Sequence, residues 1–297
     1  MMIAKIRHFA TYTENFDREA LFYQTIFGFK KITNGLTDET GTFNPNRGHM
    51  SDGVVGVAMV QRHPGCHSGL DHIGFLVSDL EMVLERIRQN YPDILIAPAL
   101  AHVPFAAIRS HDPVGTHIDI SQKSERKVGG EYVQAGWEHV ATGSGSDRSF
   151  SKLREGYIED GWDQPRQLNH IAIRAAKPSM VAEFYQKVFE LRPEEGLSKN
   201  NGELCLTDGT VHLLIRPCNT ESYRNMKQGL DHIGFKVEDV KKVKKDLEEI
   251  GKSHANCAPK KIALGTHGPS TEKEMAACPI GEYAFSDPDG ILVDISQ

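Results

Sequence analysis

The chain has 297 residues, a net charge of −6 and 39% hydrophobic residues, ordinary values for a soluble globular protein. That length accommodates two domains with cores of their own. The charge balance and the lack of a long apolar run make nucleic acid and membranes unexpected partners. No signal-peptide pattern is present and the five cysteines form no CxxC pair, so we expect reduced thiols and a cytoplasmic location. Fourteen histidines make a metal site worth seeking.

The first half of the sequence predicts two similar units in succession. A strand is expected around residues 6–9, then a helix from Phe16 to Phe27 that stops at Gly28, then strands ending with residues 54–60. The second unit starts with a strand at His72, and its helix begins at a capping box, residues 78–81. A turn at residues 112–115 and a strand at residues 116–120 close this unit. Each unit is therefore predicted to be β-α-β-β-β.

Residues 123–166 show no periodicity and are predicted to be a linker. The sequence Thr-Gly-Ser-Gly-Ser at residues 142–146 is typical of flexible segments. Both tryptophans of the chain, Trp137 and Trp162, nevertheless lie in this linker. We therefore expect parts of it to pack on a domain or on a partner subunit, and a homo-oligomer is left open.

The second half repeats the pattern of the first. A strand at residues 168–173 precedes a helix that begins at Pro178, and strands follow around the turn Asp208-Gly209. A fourth helix, with apolar residues from Val240 to Ile250, leads to a turn at residues 287–290 and a strand at residues 291–295. We predict an α+β fold of four βαβββ units in two modules, residues 1–122 and 167–297, joined by the linker 123–166.

One heptapeptide occurs twice without a change. Residues 69–75 and 229–235 are both Gly-Leu-Asp-His-Ile-Gly-Phe, which indicates an internal duplication. The alternation of apolar and other residues predicts a half-buried strand with Ile73 and Phe75 on one face and His72 and Gly74 on the other. The glycine leaves space beside the histidine.

Equivalent histidines and aspartates in the two modules predict a metal site in each. Each module has a histidine on its first strand, a second in the repeated heptapeptide and an aspartate on its last strand; the sets are His8, His72 and Asp119, and His170, His232 and Asp294. Strand alternation places the second histidine and the aspartate on the same face. Two imidazoles and one carboxylate on one concave surface are typical of a metal site with open coordination positions.

With these motifs the sequence resembles the vicinal oxygen chelate superfamily, which includes glyoxalase I, bleomycin-resistance proteins and type I extradiol dioxygenases. The resemblance rests on residues 169–173, on both heptapeptides and on the ending Asp-Pro-Asp-Gly-Ile-Leu-Val-Asp at residues 287–294. It implies that each pair of βαβββ units forms a cupped half-barrel sheet, with a divalent metal inside that binds two neighbouring substrate oxygens. The metal ligands that it implies are the same two sets.

Three features differ from the extradiol enzymes that the chain resembles. Their third ligand is usually Glu, whereas both modules here have Asp. They normally keep ligands in the second module alone, whereas here both sets are present. The position of their conserved tyrosine falls on Ala284. Tyr283 is the neighbouring candidate for a catalytic role, although strand alternation points it to the other face.

Further catalytic candidates lie near the predicted cups. His212 is interpreted as a fourth ligand, a general base or a structural histidine of an edge strand; near Met59 and Gln61 the first module offers no good fourth donor. His267, and less strongly His254, are candidates for a proton relay. Their loop is longer than its counterpart between His72 and Asp119, and we expect it to build a lid over the C-terminal cup. That module is therefore predicted to be the catalytic one.

The favoured function is an extradiol-type ring-cleaving dioxygenase that uses Fe²⁺, dioxygen and a catechol-like small molecule with vicinal oxygens. The first alternative is a glyoxalase-like isomerase, lyase or epimerase with a redox-inert metal. The metal would then be Mn²⁺, Zn²⁺, Ni²⁺ or Co²⁺ in place of iron. The second is a non-catalytic binding protein similar to bleomycin-resistance proteins. The two sets of ligands argue against this last alternative.

Overall fold

A computed structural model describes the greater part of the chain, namely residues 4–33, 36–37, 43–44, 47–62, 64–99, 106–122, 127–128, 131–132, 164–194, 196, 202–219, 226–263 and 266–297. Trp137, Trp162 and most of the predicted linker lie outside these residues. The linker and the module boundaries therefore remain predictions.

Each half of the chain forms one mixed β-sheet. The first half contains β1 (Ala4–Thr13), β2 (Lys30–Thr33), β3 (Leu36–Thr37), β4 (Phe43–Asn44), β5 (Arg47–Ser51), β6 (Gly56–Gln61), β7 (Gly69–Val77), β8 (Ala97–Pro98), β9 (Ile108–His111) and β10 (His117–Gln122). Eight of these strands pair in the order β2-β5-β6-β1-β7-β10-β9-β8, and β3 pairs with β4 separately. A two-stranded ladder of β11 (Lys127–Val128) and β12 (Glu131–Tyr132) follows.

The second half repeats this arrangement with seven strands. They are β13 (Gln167–Ala175), β14 (Arg192–Pro193), β15 (Leu204–Thr207), β16 (His212–Pro217), β17 (Gly229–Lys236), β18 (Tyr283–Ser286) and β19 (Leu292–Ser296). Their order is β14-β15-β16-β13-β17-β19-β18. The α+β fold with two modules, each built from two repeated units, is thus confirmed. The last unit departs from βαβββ, because an isolated bridge between Lys260 and Ser286 stands where a further strand was predicted.

Five α-helices lie in the part of the chain that the structure describes: α1 (Phe16–Phe27), α2 (Leu80–Asn90), α3 (Pro178–Phe189), α4 (Val240–Ser253) and α5 (Gly268–Ala276). Gly28 ends α1 in the left-handed conformation, as predicted. The predicted capping box at residues 78–81 is wrong by one residue, because Asp79 rather than Ser78 caps α2 by accepting a bond from the Met82 amide. No helix in the described ranges is long and apolar enough to cross a membrane.

The hydrophobic core is shared between the two modules. One continuous cluster contains buried residues of both sheets and of α1 to α4. Phe27 of α1 stacks on Phe235 of the C-terminal sheet with ring centroids 3.9 Å apart, and Phe189 of α3 stacks on Phe75 of the N-terminal sheet at 4.1 Å. Each module therefore buries its first helix against the other module's sheet, which leaves the opposite sheet face for the predicted metal ligands.

Strand register brings the candidate ligands together at the repeated heptapeptide. Gly74 is paired with His8 on one neighbouring strand and with Asp119 on the other. Gly234 is paired in the same way with His170 and Asp294. Since paired residues on adjacent strands project to the same face, both ligands lean over the glycine.

Candidate metal centres

The N-terminal centre consists of His8, His72 and Asp119, whose donor atoms lie within 4.8 Å of one another. His72 Nε2 is 3.2 Å from Asp119 Oδ2, and the two imidazole rings meet edge to face with centroids 5.3 Å apart. All three residues are buried. The side chain of Arg109, which is half exposed, lies with its Nε 3.3 Å from Asp119 Oδ1. The centre is thus one side chain away from solvent.

The C-terminal centre contains His170, His232 and Asp294 in the same arrangement. The two Nε2 atoms are 3.2 Å apart, and they lie 3.3 and 3.5 Å from the carboxylate oxygens of Asp294. The ring centroids are again 5.3 Å apart. The structure therefore brings together the residues of each predicted triad.

Cys278 is a fourth donor at the C-terminal centre, and the sequence interpretation missed it. Its Sγ lies 3.7 Å from His232 Nε2 and 4.0 Å from His170 Nε2. Among the described residues the N-terminal centre gathers three donors and the C-terminal centre four. The only sequence signal was a solitary cysteine near the end of the long loop before Asp294, and no ligand spacing marks it.

The long loop before Asp294 was predicted to form a lid over the C-terminal cup. Two of its side chains pack against the sheet inside that cup. Helix α5 is anchored by Glu274, whose Oε2 lies 3.2 Å from the buried Arg174 guanidinium. Cys278 and Ile280 follow α5 and pack in a small apolar cluster with Ala172, Cys205 and Leu214, residues of the C-terminal sheet. The length of this loop, which favoured the C-terminal module as catalytic, instead serves to fill that cup.

The aspartate before the central histidine fixes that ring in both modules. Asp71 Oδ2 accepts from His72 Nδ1 at 2.7 Å, and Asp231 Oδ2 accepts from His232 Nδ1 at 2.8 Å. With Nδ1 bonded to the aspartate, each ring turns Nε2 toward the centre, where a metal ion would take the place of the Nε2 proton. The repeated sequence Asp-His contained this signal, since the aspartate recurs with its histidine.

Two glycines of the heptapeptides leave the space that the centres occupy. A Cβ at Gly74 would overlap the His8 ring, and a Cβ at Gly234 would overlap His170 and the Asp294 carboxylate. Gly281 makes the same close approach to Asp294 from the loop side. The space predicted at each glycine exists. The ring of His8 or His170, on the neighbouring strand, occupies it, rather than the ring of His72 or His232.

Buried charges shift the pKa values of the centre residues. Burial lowers the pKa of His8 to about 3, with the charge of His72 as a further cause. Burial also opposes the charged form of His72, but Asp119 and Asp71 outweigh it and raise its pKa to about 9. At the C-terminal centre burial favours a neutral Cys278 thiol, yet bonds from His170 and His232 outweigh burial and lower its pKa.

The donor set fits a divalent metal. Both carboxylate oxygens of Asp294 are buried and accept no hydrogen bond, although they face two imidazole nitrogens. Leaving a buried carboxylate without donors is costly, and a cation coordinated by these groups removes that cost. Imidazole, carboxylate and thiolate are the usual ligands of first-row divalent metals.

The three predicted catalytic residues lie apart from these donors. His212 is paired with His170 in the register, but its Nδ1 lies 3.2 Å from both the backbone and the side-chain oxygen of Asn169. It lines a cavity of about 350 Å³ with Arg192 and Glu194. His212 is not part of the donor group, so its interpretation as a fourth ligand is wrong.

Tyr283 and His267 also lie outside the donor groups, and their catalytic roles stay predictions. Tyr283 packs against the hydrophobic core, and Lys244 Nζ lies 4.0 Å above its ring, on the side of α4. Strand alternation thus turns it away from the metal face, as the period-2 pattern indicated. His267 is exposed and caps the N-terminus of α5, where its carbonyl accepts from Thr271. Neither side chain is part of the donor groups.

Comparison with known proteins supports the fold and the family. Residues 167–295 match the sequence model of the Glyoxalase/Bleomycin resistance protein/Dioxygenase superfamily. The C-terminal module is therefore similar to this superfamily, which is also called the vicinal oxygen chelate superfamily, and the whole chain has the two-module fold. No curated protein sequence matches the chain.

Solved structures with the same fold include enzymes of two reaction types. The Mn(II)-bound glyoxalase from Novosphingobium aromaticivorans aligns with a TM-score of 0.58 at 13% identity, covering 99% of this chain and 82% of its own. A catechol 2,3-dioxygenase aligns at 0.56 and 13%, covering 99% and 88%. The 2,3-dioxygenase LapB from Pseudomonas sp. KL28 aligns at 0.56 and 12%, covering 99% and 92%. At these identities the similarity establishes the fold and leaves the reaction open.

Proposed function

We propose that the protein is a divalent-metal-dependent enzyme of the extradiol type, which cleaves the ring of a catechol-like substrate with dioxygen. The observation that supports this most directly is the convergence of two imidazoles and one carboxylate, His8, His72 and Asp119, on the concave face of the N-terminal sheet. A facial set of two histidines and one carboxylate leaves coordination positions for substrate and dioxygen together. Binding proteins of this fold have no need of such a set, so we favour an enzyme.

We assign turnover to the N-terminal centre rather than to the C-terminal centre that the sequence favoured. At the C-terminal centre Cys278 adds a fourth donor, and the loop around it packs into the cup. At the N-terminal centre the half-exposed Arg109 reaches Asp119 from the solvent side. A substrate that reaches this centre would meet the half-exposed Arg109 side chain beside Asp119.

Residues of the chain would hold and orient both metal and substrate. His8, His72 and Asp119 would bind the ion, and Asp71 holds the His72 ring in the required tautomer. Arg109 is paired with Asp119 in the register, the position that Ala284 occupies opposite Asp294. Its guanidinium can turn from Asp119 to the anionic oxygens of a bound diolate, which places a cation where negative charge develops.

Iron(II) would supply a Lewis acid that lowers the pKa of a substrate hydroxyl, and a redox centre for dioxygen. Ring cleavage would then add both atoms of dioxygen and break the C–C bond beside the two hydroxyl-bearing carbons. His117, 70% exposed, has its Nδ1 3.9 Å from Asp71 Oδ1 and is placed to pass the substrate's proton to solvent.

A second candidate is an isomerase or lyase with a redox-inert metal. The donor set of His8, His72 and Asp119 also suits a redox-inert ion, which would do Lewis-acid chemistry with no need of dioxygen. A glyoxalase with bound Mn(II) shares the fold. Mn²⁺, Ni²⁺, Zn²⁺ and Co²⁺ are therefore the metals to compare with Fe²⁺.

The test is oxygen uptake by protein loaded with iron without air, over a panel of catechols. We expect dioxygen consumption with formation of a ring-opened product, and we expect His72→Ala to abolish it. A substrate that is converted at full rate under argon would refute the dioxygenase and support the second candidate. If His232→Ala lost turnover and His72→Ala kept it, the active site would be the C-terminal centre.

A further inference from the structure

We propose that the C-terminal centre is a closed, four-coordinate metal site formed by His170, His232, Cys278 and Asp294, of the type that takes Zn²⁺ and stabilises structure. In this view Cys278 is a metal ligand, and the ion fastens the loop that follows α5 to the C-terminal sheet. The proposal concerns binding at this centre and goes beyond the proposed reaction at the other.

Two of the three separations among the nitrogen and sulfur donors are close to those around a tetrahedral ion, and the third, from Sγ to His170 Nε2, is longer. With metal–nitrogen bonds of about 2.05 Å and metal–sulfur bonds of about 2.3 Å, tetrahedral angles place two nitrogens about 3.3 Å apart and nitrogen and sulfur about 3.6 Å apart. The observed Nε2–Nε2 distance is 3.2 Å, and the distances from Sγ to Nε2 are 3.7 and 4.0 Å. Angles of 90° with the same bonds would bring nitrogen and sulfur to about 3.1 Å, much shorter than observed.

Asp294 faces both imidazoles. Its Oδ1 lies 3.3 Å from His170 Nε2 and its Oδ2 lies 3.5 Å from His232 Nε2, so a carboxylate oxygen is within reach of an ion held by either ring. The carboxylate is 1% exposed and accepts no hydrogen bond. It is thus a buried anion directed at the centre of the three other donors.

Burial of all four residues distinguishes this centre from an open one. His170 and His232 are fully buried and Cys278 is 4% exposed. Leu214 and Ile280 pack in the apolar cluster around Cys278, and Gly281 lies so close to Asp294 that a side chain would not fit. Structural zinc sites have four protein ligands and no open position, whereas catalytic sites keep one for water or substrate.

The fold supplies a reason for a structural ion at this place. The last unit replaces a strand with the segment that contains α5, and the described part of that segment has one isolated bridge to the sheet. Glu274 ties α5 to Arg174 and Arg216 on the sheet. A bond from Cys278 to an ion that is also held by β13, β17 and β19 would fix the other end of the segment.

The experiment is cobalt(II) substitution of the purified full chain with metal analysis of the same samples. Thiolate bound to cobalt(II) gives an intense sulfur-to-metal charge-transfer absorption, which needs no substrate and no turnover. We expect this absorption in the wild type and in His72→Ala, and its loss in Cys278→Ala. Cys205→Ala is the matched control, because Cys205 lies in the same apolar cluster but outside the donor group.

A second measurement covers the case in which Cys278→Ala does not fold. In the wild type, zinc should protect one buried thiol from a thiol reagent that reacts with it after chelation, and peptide mapping should identify it as Cys278. Cobalt that binds without the charge-transfer absorption, or equal labelling of Cys278 with and without zinc, would overturn the proposal. The absorption in cobalt-loaded protein, together with no oxygen uptake by iron-loaded protein, would retain this site and refute the dioxygenase alone.

Discussion

Gly74 and Gly234 show at the level of single residues why the heptapeptide is repeated unchanged. Each glycine lies between two ligand-bearing strands, and any Cβ there would occupy the volume of a ligand ring. The residues on either side face the core, so alternation alone would tolerate a small side chain at this position. The metal centre, rather than the strand, therefore requires the glycine.

Gly234→Ala should accordingly remove metal from the C-terminal centre while leaving the sheet folded. The added methyl group must displace His170 or Asp294, and losing one ligand of a buried site removes most of its affinity. Metal content and circular dichroism of the variant test this. The control is Gly251→Ala in α4, where the Cβ would meet Ala258 at an ordinary 3.4 Å. Wild-type metal content in Gly234→Ala would show that the ligands are misassigned.

Asp71 allows the orientation of one ligand to be tested separately from the ligand itself. Asp71→Asn can no longer enforce the Nδ1 proton of His72, so we expect metal affinity at the N-terminal centre to fall by about 10- to 100-fold. Asp71 is preferable to Asp231, because the latter also binds Arg174, whose buried charge would be orphaned. Titration with a metal buffer measures the affinity, with the exposed Asp93→Asn as control. Equal affinities for both variants would contradict a role for Asp71.

At the scale of elements, the segment with α5 decides how the two cups differ. Both sheets present the same ligands at the same register positions, yet only the C-terminal sheet is seen to receive a side chain from such a segment among the described residues. Glu274 anchors the helix through one bond from Arg174 and, by its carbonyl, through one of 2.9 Å from Arg216. Breaking this anchor should loosen Cys278 without touching a donor.

Glu274→Ala should therefore make the Cys278 thiol more reactive in metal-free protein. Removing the carboxylate leaves part of the Arg174 charge without its partner, and we expect the free energy of unfolding to fall by about 1–3 kcal/mol. The rate of thiol labelling and urea denaturation report the two effects. Glu272→Ala on the exposed side of the same helix is the control. The two variants should differ clearly in labelling rate; equal rates would mean that α5 does not guard the thiol.

The sequence allowed the triads to be predicted because their residues lie on strands with a clear period of two. The internal repeat identified equivalent positions in the two modules, and the alternation along each strand identified the sheet face that the ligands share. In the structure His72 Nε2 lies 3.2 Å from Asp119 Oδ2. Cys278 escaped prediction because it belongs to a loop, where no period relates sequence position to direction. The face of Tyr283 followed the period, whereas the roles proposed for His212 and His267 depended on proximity that spacing does not encode.

Across the whole molecule, four turn aspartates bind the modules to each other. Each accepts bonds from its own turn through Oδ1, and each uses Oδ2 for the opposite module. Asp52 accepts from the Leu168 amide at 2.6 Å and Asp208 from the Ile6 amide at 2.7 Å. Asp112 and Asp287 accept from the hydroxyls of Tyr185 and Tyr23, at 3.1 and 3.0 Å. The turns at Asp112, Asp208 and Asp287 were predicted from Asp and Gly. The turn at Asp52 was not, and neither were the long-range partners of all four aspartates, since nothing local marks those partners.

The two tyrosine bonds should contribute similarly to stability, because the duplication makes them equivalent. Tyr23→Phe and Tyr185→Phe each leave a buried carboxylate oxygen without its donor, so we expect each to lower the free energy of unfolding by about 1–2 kcal/mol. Urea denaturation measures this, with Tyr91→Phe as a control, because the Tyr91 hydroxyl makes neither cross-module bond. A neutral result for both would show that the turn aspartates do not hold the modules together.

The same turns should make stability depend on pH in a direction opposite to that of ordinary surface carboxylates. Burial raises the pKa of Asp287 to about 7, and the negative charge of Asp289 adds to this shift. Burial also raises the pKa of the nearby Glu19, to about 10. Arg18 and Tyr23 are ionisable groups beside these carboxyls. A carboxyl whose pKa is higher in the folded than in the unfolded chain stabilises most when protonated, so its contribution is complete below about pH 4 and is lost as the pH rises through about 7.

Asp287→Asn keeps an oxygen for the three turn amides and cannot ionise. We therefore expect the free energy of unfolding of the variant, relative to the wild type, to increase steadily between about pH 4 and 7 in urea titrations. Asp79→Asn at the partly exposed cap of α2 serves as control. Parallel curves for Asp287→Asn and the wild type would show that Asp287 stays ionised in the folded protein.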